Sequence, residues 1–343
     1  MTNSKWVGLF VGVMLFNAVP LYAAAEYNPY ADMVSEVFAS PQSSALKGAD
    51  MAINPAGPLV SNPAVAARPQ LSALNLSYAS YYHGVFSTSI LNYTGPAGSN
   101  AGLSISTAYL LIPDIEDTRN VDINAVNTDS IERFTSSDIW LRVGYGRKFE
   151  FKSATLYYGG AINARRRRLP VIGYGIGLDA GFMLNLHKPS LSFGLLYENV
   201  RKGYVRWQGS EYEEYALPHL RFSAAWEKEL PYIYGRMTAV YTSPDLLSNE
   251  GINSYEDSRY RGEDKVPAMV EYSKNPGMII SNGKYGLEYS IMNTLSLRAG
   301  LSQGTYSLGA GLDLFNRSAG VDFCFLSHEI GGTYKMSVTY RWP

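Results

Sequence analysis

The sequence predicts an all-β protein, a 14-stranded antiparallel transmembrane β-barrel with an N-terminal plug segment. Three observations lead to this prediction. In one predicted strand, apolar residues alternate with small or polar ones over an unusual length. Many similar alternating segments precede and follow it in the chain. The long connections between these segments all follow odd-numbered segments.

The longest alternating strand runs from Ile172 to Leu184. Every second residue is apolar or methyl-bearing, and the positions between them hold mainly glycines together with Asp179. A period of two is the β signal, because successive side chains of a strand point to opposite faces. Strands of soluble proteins usually end after about 5–6 residues, whereas a transmembrane β-strand needs about 9–11. One face therefore suits lipid and the other a filled lumen.

The same stretch contains Gly175-Ile-Gly177, which imitates part of a dinucleotide-binding fingerprint. That fingerprint requires a strand to end and a helix to begin at the glycines. Here the alternation continues through them, so the barrel interpretation is preferred.

Residues 1–25 are predicted to be a secretory signal peptide. Lys5 supplies the positive charge, Trp6 to Phe16 form the apolar run, and Ala23-Ala24-Ala25 provides a small-residue cleavage site. The apolar run is too short to span a membrane as a helix.

Residues 26–70 carry no long alternation and are rich in turn-forming residues. Two Asn-Pro-Ala turns occur there, at Asn54-Pro55-Ala56 and at Asn62-Pro63-Ala64. A linker and a plug folded into the barrel mouth both fit this composition. No charged residue occurs from Met51 to Ala67, which favours a plug (or hatch) against the barrel wall over an exposed tail.

Residues 71–343 form the predicted barrel. Its fourteen candidate strands are 71–80, 84–94, 100–111, 136–149, 153–164, 169–186, 189–201, 216–229, 232–243, 284–291, 294–302, 305–315, 318–328 and 332–342.

Connection lengths support this division. The three long connections, 112–135, 202–215 and 244–283, follow the third, seventh and ninth strands, and each connection after an even-numbered strand is short. With the N-terminus in the periplasm, all long loops then lie outside the cell. Bacterial outer-membrane barrels have this asymmetry and an even strand number. The sequence therefore predicts a protein of the bacterial outer membrane.

Charged residues of both signs occur at the inward positions of the predicted strands. A mixture of acids and bases favours a cross-linked polar interior over a selectivity ring of one sign. These charges either brace the barrel or line a substrate pathway. They are Arg142, Asp179, Glu198, Arg221, Arg236, Glu288, Arg298, Asp313, Asp322 and Lys335.

Four consecutive arginines, Arg165-Arg166-Arg167-Arg168, fall in the predicted exterior turn after the fifth strand. Arginine binds phosphate in a bidentate manner, so this turn suits the phosphates of lipopolysaccharide. A solvated basic turn is the alternative.

Composition argues against several other functions. The net charge is −1 and only 17% of residues are charged, so no nucleic-acid partner is expected. The single cysteine, Cys324, excludes an intramolecular disulfide. The four histidines have no metal-ligand spacing and no Gly-x-Ser-x-Gly elbow occurs, so the sequence predicts no enzyme, metal or cofactor.

Several short motifs resemble the PorV/PorQ outer-membrane proteins, which are themselves similar to the FadL fatty-acid channel. The motifs occur in the expected order, and they are Ser61-Asn62-Pro63-Ala64, Gly177-Leu-Asp179-Ala-Gly181, Leu191-Ser-Phe-Gly194 leading to Asn199, Leu217-Pro218-His-Leu-Arg221, Gly286-Leu-Glu288-Tyr289 and Leu297-Arg298-Ala-Gly300. The segment before Asn62 lacks the clear glycine-rich run of that family. The resemblance implies a fourteen-stranded barrel with an N-terminal hatch.

The resemblance implies a non-enzymatic component of protein secretion of the type IX kind, or of its surface anchoring. Two alternatives stay open, a FadL-like transporter of hydrophobic small molecules and a structural outer-membrane barrel. The expected partners are outer-membrane lipid and lipopolysaccharide, with secretion-system proteins or a hydrophobic ligand according to the function.

Overall fold

A computed structural model describes residues 37–53, 61–68, 71–117, 131–200, 203–209, 213–247, 272 and 275–343. The predicted signal peptide, 1–25, lies outside the described residues. So does the first Asn-Pro-Ala turn, with Asn54 and Pro55.

Sixteen strands make up most of the described chain. They are β1 Ser72–Tyr81, β2 Phe86–Pro96, β3 Ala101–Glu116, β4 Arg133–Glu150, β5 Ala154–Arg168, β6 Ile172–Leu186, β7 Leu191–Glu198, β8 Gly203–Trp207, β9 Glu213–Ala216, β10 His219–Leu230, β11 Gly235–Thr242, β12 Lys284–Ile291, β13 Leu295–Ser302, β14 Thr305–Leu314, β15 Ala319–Leu326 and β16 Thr333–Trp342. The α-helices are α1 Pro41–Ala45 and α2 Gly277–Ser281, and 3-10 helices span Pro63–Ala67, Tyr82–Gly84 and Pro231–Ile233.

The strands close into one antiparallel barrel. Each wall strand pairs with its neighbour in the chain, and β1 pairs with β16 from Ser72↔Trp342 to Ser80↔Tyr334, which completes the ring. Strands β8 and β9 form a hairpin on the end of β6 and stay outside the ring. Sixteen strands less these two leave fourteen in the wall, so the predicted 14-stranded barrel is confirmed.

The alternation divides the wall into an apolar outside and a mostly polar inside. On β6, Leu178 is 46% exposed on the outer face while its neighbour Asp179 is 8% exposed on the inner face. On β1, Leu76 and Tyr78 face outward and Ser77 is buried inside. An apolar outer surface of this kind meets lipid hydrocarbon. No helix among the described residues is long and apolar enough to cross a membrane.

The long connections all leave the same rim of the barrel, as predicted. They join β3 to β4, β7 to β10 and β11 to β12. We call this the long-loop rim. The opposite short-turn rim carries brief turns such as 187–190, 231–234 and 292–294.

Two local predictions were wrong. The long connection 202–215 contains strands β8 and β9, which extend the β6 edge beyond the ring. The four arginines do not form a turn, because β5 continues through Arg168 and pairs with β4 and β6 along its full length. Four identical residues show no alternation, so no strand could be recognised there from the residue pattern.

Two stretches of the N-terminal region, 37–53 and 61–68, are largely buried and contact the inner face of the wall. We call them together the inner segment. Helix α1 packs against β13 to β16, whereas the 3-10 helix Pro63–Ala67 packs against β2 to β6. Contacts with two separated sectors of the wall place these stretches in the lumen. A hatch over the whole of 26–70 stays a prediction, since 26–36, 54–60 and 69–70 lie outside the described residues.

Candidate functional site: the barrel lumen

Asn62 joins the inner segment to the wall. Its Oδ1 accepts a hydrogen bond from the Ala64 N–H at 3.0 Å, which caps the 3-10 helix, and Pro63 occupies the first helical position. Its Nδ2 donates to the carbonyl oxygens of Phe182 on β6 at 3.1 Å and Leu195 on β7 at 3.4 Å. The Asn-Pro-Ala motif is therefore both a helix start and a docking point.

Inward glycines leave space for the backbone of the inner segment. A Cβ added at Gly159 would lie 2.6 Å from the Pro63 carbonyl oxygen, and one at Gly181 would overlap the Asn62 side chain. Across the barrel, a Cβ at Gly309 would lie 2.5 Å from the Ala45 Cβ. Only glycine permits this close approach of two chain segments.

Asp179, from the predicted charge network, connects three strands. Arg142 Nη2 donates to its Oδ2 at 3.0 Å, Asn163 donates to the same oxygen at 2.8 Å, and the Asn199 N–H donates to Oδ1 at 3.1 Å. Arg142 also donates to the Ser61 carbonyl oxygen at 3.2 Å. This buried cluster therefore braces the wall and holds the inner segment beside Asn62.

The other predicted charges form separate groups around the lumen. Arg298 donates to Glu288 at 2.6 Å and to Asp322 at 2.7 Å, and Arg221 pairs with Glu198. Asp313 pairs with Arg341 at 2.8 Å and with Arg317 at 3.8 Å, and Arg236 pairs with Glu227 at 3.6 Å. The partners Arg341, Arg317 and Glu227 were not among the charges predicted from the sequence.

Sequence reasoning missed these partners and also two further pairs at 3.0 Å, the half-buried Asp138–Arg167 and the buried His219–Asp245. Arg341 could have been predicted to face the lumen, because it follows the inward Lys335 by six positions on β16 and an even spacing places both side chains on one face. Parity cannot give the register between strands, so it could not have predicted which charges pair.

An apolar patch interrupts this polar interior. It consists of Ile90, Ala108, Leu110 and Trp140, which point inward from β2, β3 and β4 toward the long-loop rim. Phe38 of the inner segment packs on it, with ring centroids of Phe38 and Trp140 5.7 Å apart. Inward apolar residues weaken the contrast between the two faces of a strand, so the alternation pattern concealed this patch.

Lys335 and Tyr81 hold the backbone on both sides of Phe38. The Tyr81 hydroxyl donates to the Val37 carbonyl oxygen at 2.5 Å, and Lys335 Nζ donates to the Ala39 carbonyl oxygen at 3.2 Å. The same ammonium lies 5.1 Å from the centre of the Tyr81 ring. Lys335 is thus placed to fix the position of the Phe38 side chain.

A polar vestibule of about 580 Å³ opens at the short-turn rim. Gln42, Ala52, Ile53 and Arg68 of the inner segment form one side of it. The wall contributes mainly charged and hydroxyl side chains, among them Arg236, Glu288, Ser290, Arg298, Asp313 and Arg317. The inner segment therefore lies between the apolar patch and this vestibule.

Burial changes the acidity of two inner-segment residues. Desolvation raises the pKa of the Asp50 carboxyl, and the hydrogen bond that Ser43 Oγ donates to it at 2.9 Å acts in the opposite direction. Desolvation lowers the pKa of the Arg68 guanidinium, which lies 5.5 Å from the Tyr157 ring centre. Within the described part of the chain, no three or more His, Cys, Asp and Glu side chains are grouped to hold a metal ion.

A closed ring of fourteen antiparallel strands with an apolar outer face and loops on one rim defines a bacterial outer-membrane β-barrel. Solved structures of such barrels are similar to this chain. The toluene transporter TodX of Pseudomonas putida aligns with a TM-score of 0.51 at 11% sequence identity, covering 89% of this chain and 98% of TodX.

Two further similar structures are the CymD monoaromatic hydrocarbon channel and a Pseudomonas aeruginosa FadL homologue. Their TM-scores are 0.49 and 0.46, each at 11% identity, covering 90% and 88% of this chain and 98% of each structure. No family model matches the sequence, and neither does any curated protein. At these identities the similarity to TodX shows the fold alone, an outer-membrane β-barrel, and the comparisons add no support for the narrower PorV/PorQ resemblance.

Proposed function

We propose that the protein is an outer-membrane channel for small hydrophobic molecules. The observation that carries this proposal is the apolar patch, to which the wall contributes Ile90, Leu110 and Trp140. Elsewhere the inner segment meets the apolar wall residues Ala225, Val240 and Met183, and most other inward side chains are polar or charged. The inward side chains of the patch offer an apolar surface, which favours a hydrophobic molecule over water or ions. A small apolar molecule would gain about 25 cal/mol per Å² of surface that it buried there.

Phe38 occupies the place that such a molecule would take. Its ring is 1% exposed and stacks on Trp140. A monoaromatic molecule has nearly the size and polarity of the phenylalanine side chain. Exchanging one for the other would therefore change the buried apolar area little.

The route proposed here runs along the barrel axis. Each wall strand is paired with both neighbours over the described residues. A molecule entering at the long-loop rim would reach the apolar patch, displace Phe38 and pass the inner segment into the polar vestibule. Similarity to the toluene transporter TodX supports this proposal through the shared fold.

Toluene binding to the purified protein, followed by calorimetry in detergent, tests the proposal. Phe38→Ala should bind toluene more tightly than the wild type, because the variant no longer supplies a competing ring. Phe193→Ala is the matched control, since Phe193 stacks on Phe222 on the lipid-facing side. Absence of saturable toluene binding in both the wild type and Phe38→Ala would contradict the proposal.

A role in protein secretion is the second candidate, and the polar vestibule favours it. Its lining of paired charges suits a polar peptide segment better than a lipid tail. Chemical crosslinking in native membranes tests this role through a cysteine placed at Asn293, in a short turn beside the vestibule. A crosslink to an exported protein would support the role in secretion. No such crosslink, together with saturable toluene binding, would support the channel function instead.

A further inference from the structure

Two of the four consecutive arginines face the membrane side of the barrel. Along β5, Arg165 and Arg167 share the inward parity and are bonded to Asn199 at 3.5 Å and Asp138 at 3.0 Å. Arg166 and Arg168 share the outward parity of Ile162, which is 54% exposed. The structure therefore divides the basic run into an inner, bonded half and an outer half.

Arg206 extends the outer half into a row across three strands. Tyr174 on β6 is the register partner of both Arg166 on β5 and Arg206 on β8. Adjacent strands lie about 4.8 Å apart, so the two arginines flank the tyrosine at a separation of roughly 10 Å. Arg168 lies two residues nearer the long-loop rim.

This row lies at the upper edge of the apolar band. The next outward row toward the barrel centre contains Ala164, Ile176 and Tyr204, which pair in register across the same strands. Ile176 and Tyr204 are 44% and 46% exposed. The guanidinium groups are therefore at headgroup depth on the rim that carries the long loops, which is the cell exterior.

The outer arginines have no structural task comparable to that of the inner ones. Within the described side chains, no carboxylate forms an ion pair with Arg166 or Arg168. By contrast, the outward Arg133 near the same rim pairs with Glu116 at 3.2 Å.

We propose that Arg166 and Arg168, with Arg206 beside them, bind the phosphate groups of lipopolysaccharide in the outer leaflet. The planar guanidinium can donate two parallel hydrogen bonds to a phosphate. Tyr174 lies between Arg166 and Arg206 in the strand register, at the depth where an acyl chain meets its headgroup. Outer-leaflet lipopolysaccharide presents phosphates at this depth on this side of the membrane. The site is independent of any passage through the lumen.

Binding of the lipopolysaccharide-free protein to immobilised lipopolysaccharide tests the inference. The Arg166→Gln/Arg168→Gln double variant should bind at least about tenfold more weakly than the wild type, because it loses two charge-assisted contacts. Arg166→Lys/Arg168→Lys should lie between them. Arg147→Gln is the matched control, since Arg147 is an exposed outward arginine in the same sector at the short-turn rim.

Heat-modifiable migration on SDS gels verifies that each variant forms the barrel. Dephosphorylated lipopolysaccharide should bind the wild type as weakly as intact lipopolysaccharide binds the double variant. Equal binding by the wild type and the folded double variant would overturn the inference. So would equal weakening by Arg147→Gln, or equally strong wild-type binding to phosphatidylglycerol vesicles, which would show attraction to any anionic lipid.

Discussion

At the residue scale, the carboxamide of Asn62 combines a helix cap with hydrogen bonds to two wall strands. Asn62→Ala would remove the helix cap and both hydrogen bonds to the wall, at a cost of about 0.5–2 kcal/mol. We expect elastase, which cleaves after small apolar residues, to cut the variant faster than the wild type between Ala64 and Ala67 in detergent. Asn100→Ala, in an exposed turn, is the control, and equal cleavage rates would show that Asn62 does not hold the segment.

Asp50 gives the inner segment a defined pH dependence. Its folded-state pKa is raised, so the folded state keeps a proton that the unfolded state releases near the ordinary value of 3.8. Its contribution to stability is therefore greatest below that value and declines as the pH rises through the folded pKa. Asp50→Asn removes this decline, so the variant should gain melting temperature relative to the wild type as the pH rises.

The control for Asp50 is Glu329→Gln, a change at an exposed turn. It should alter the melting temperature by the same small amount at each pH. A constant difference between Asp50→Asn and the wild type from acid to neutral pH would contradict the account.

At the element scale, each wall strand depends on its two faces staying distinct. Leu178→Arg places a charge on the lipid face of β6, at a cost of about 2–4 kcal/mol near the bilayer midplane. The variant should need less urea to unfold in lipid vesicles. Leu169→Arg makes the same change in the β5–β6 turn, where the side chain meets water, and should be nearly neutral. If both variants unfolded at the same urea concentration, the assignment of faces would be wrong.

The wall strands could be predicted because the membrane requires the two faces of each strand to differ in polarity. The outer face must be apolar while the lumen is largely polar, so alternation persists from β1 to β16. Where that contrast disappears, prediction failed. The four arginines at the end of β5 and the short strands of the β8–β9 hairpin gave too little alternation to be recognised.

The lumen was predictable only in part. Inward parity found charges such as Asp179 and Arg298, since parity depends on one strand at a time. Which charges pair depends on the register between strands. The packing of Phe38 on the apolar patch depends on where the inner segment meets β4. Such contacts join residues far apart in sequence, which a local pattern does not encode.

At the scale of the whole molecule, the described parts of the inner segment lie between two chemically different regions of the lumen. The apolar patch lies toward the long-loop rim and the polar vestibule toward the short-turn rim. Phe38 and its supports, Tyr81 and Lys335, lie at the upper boundary. Lys335→Met should therefore loosen Phe38 and strengthen toluene binding, though less than Phe38→Ala does. Unchanged toluene binding by Lys335→Met would show that Lys335 does not hold Phe38 in place.

The measurement that tests the channel most directly is the initial rate of toluene uptake by intact bacteria that lack their own aromatic transporter. The outer membrane must be intact, since its lipopolysaccharide leaflet is the barrier that the channel would bypass. Cells producing the wild-type protein should take up toluene faster than cells with an empty vector, and Leu110→Arg, which charges the apolar patch, should return uptake to the vector rate. Phe193→Ala should match the wild type. Uptake at the vector rate by cells producing correctly folded wild-type and Phe38→Ala protein would contradict the channel function.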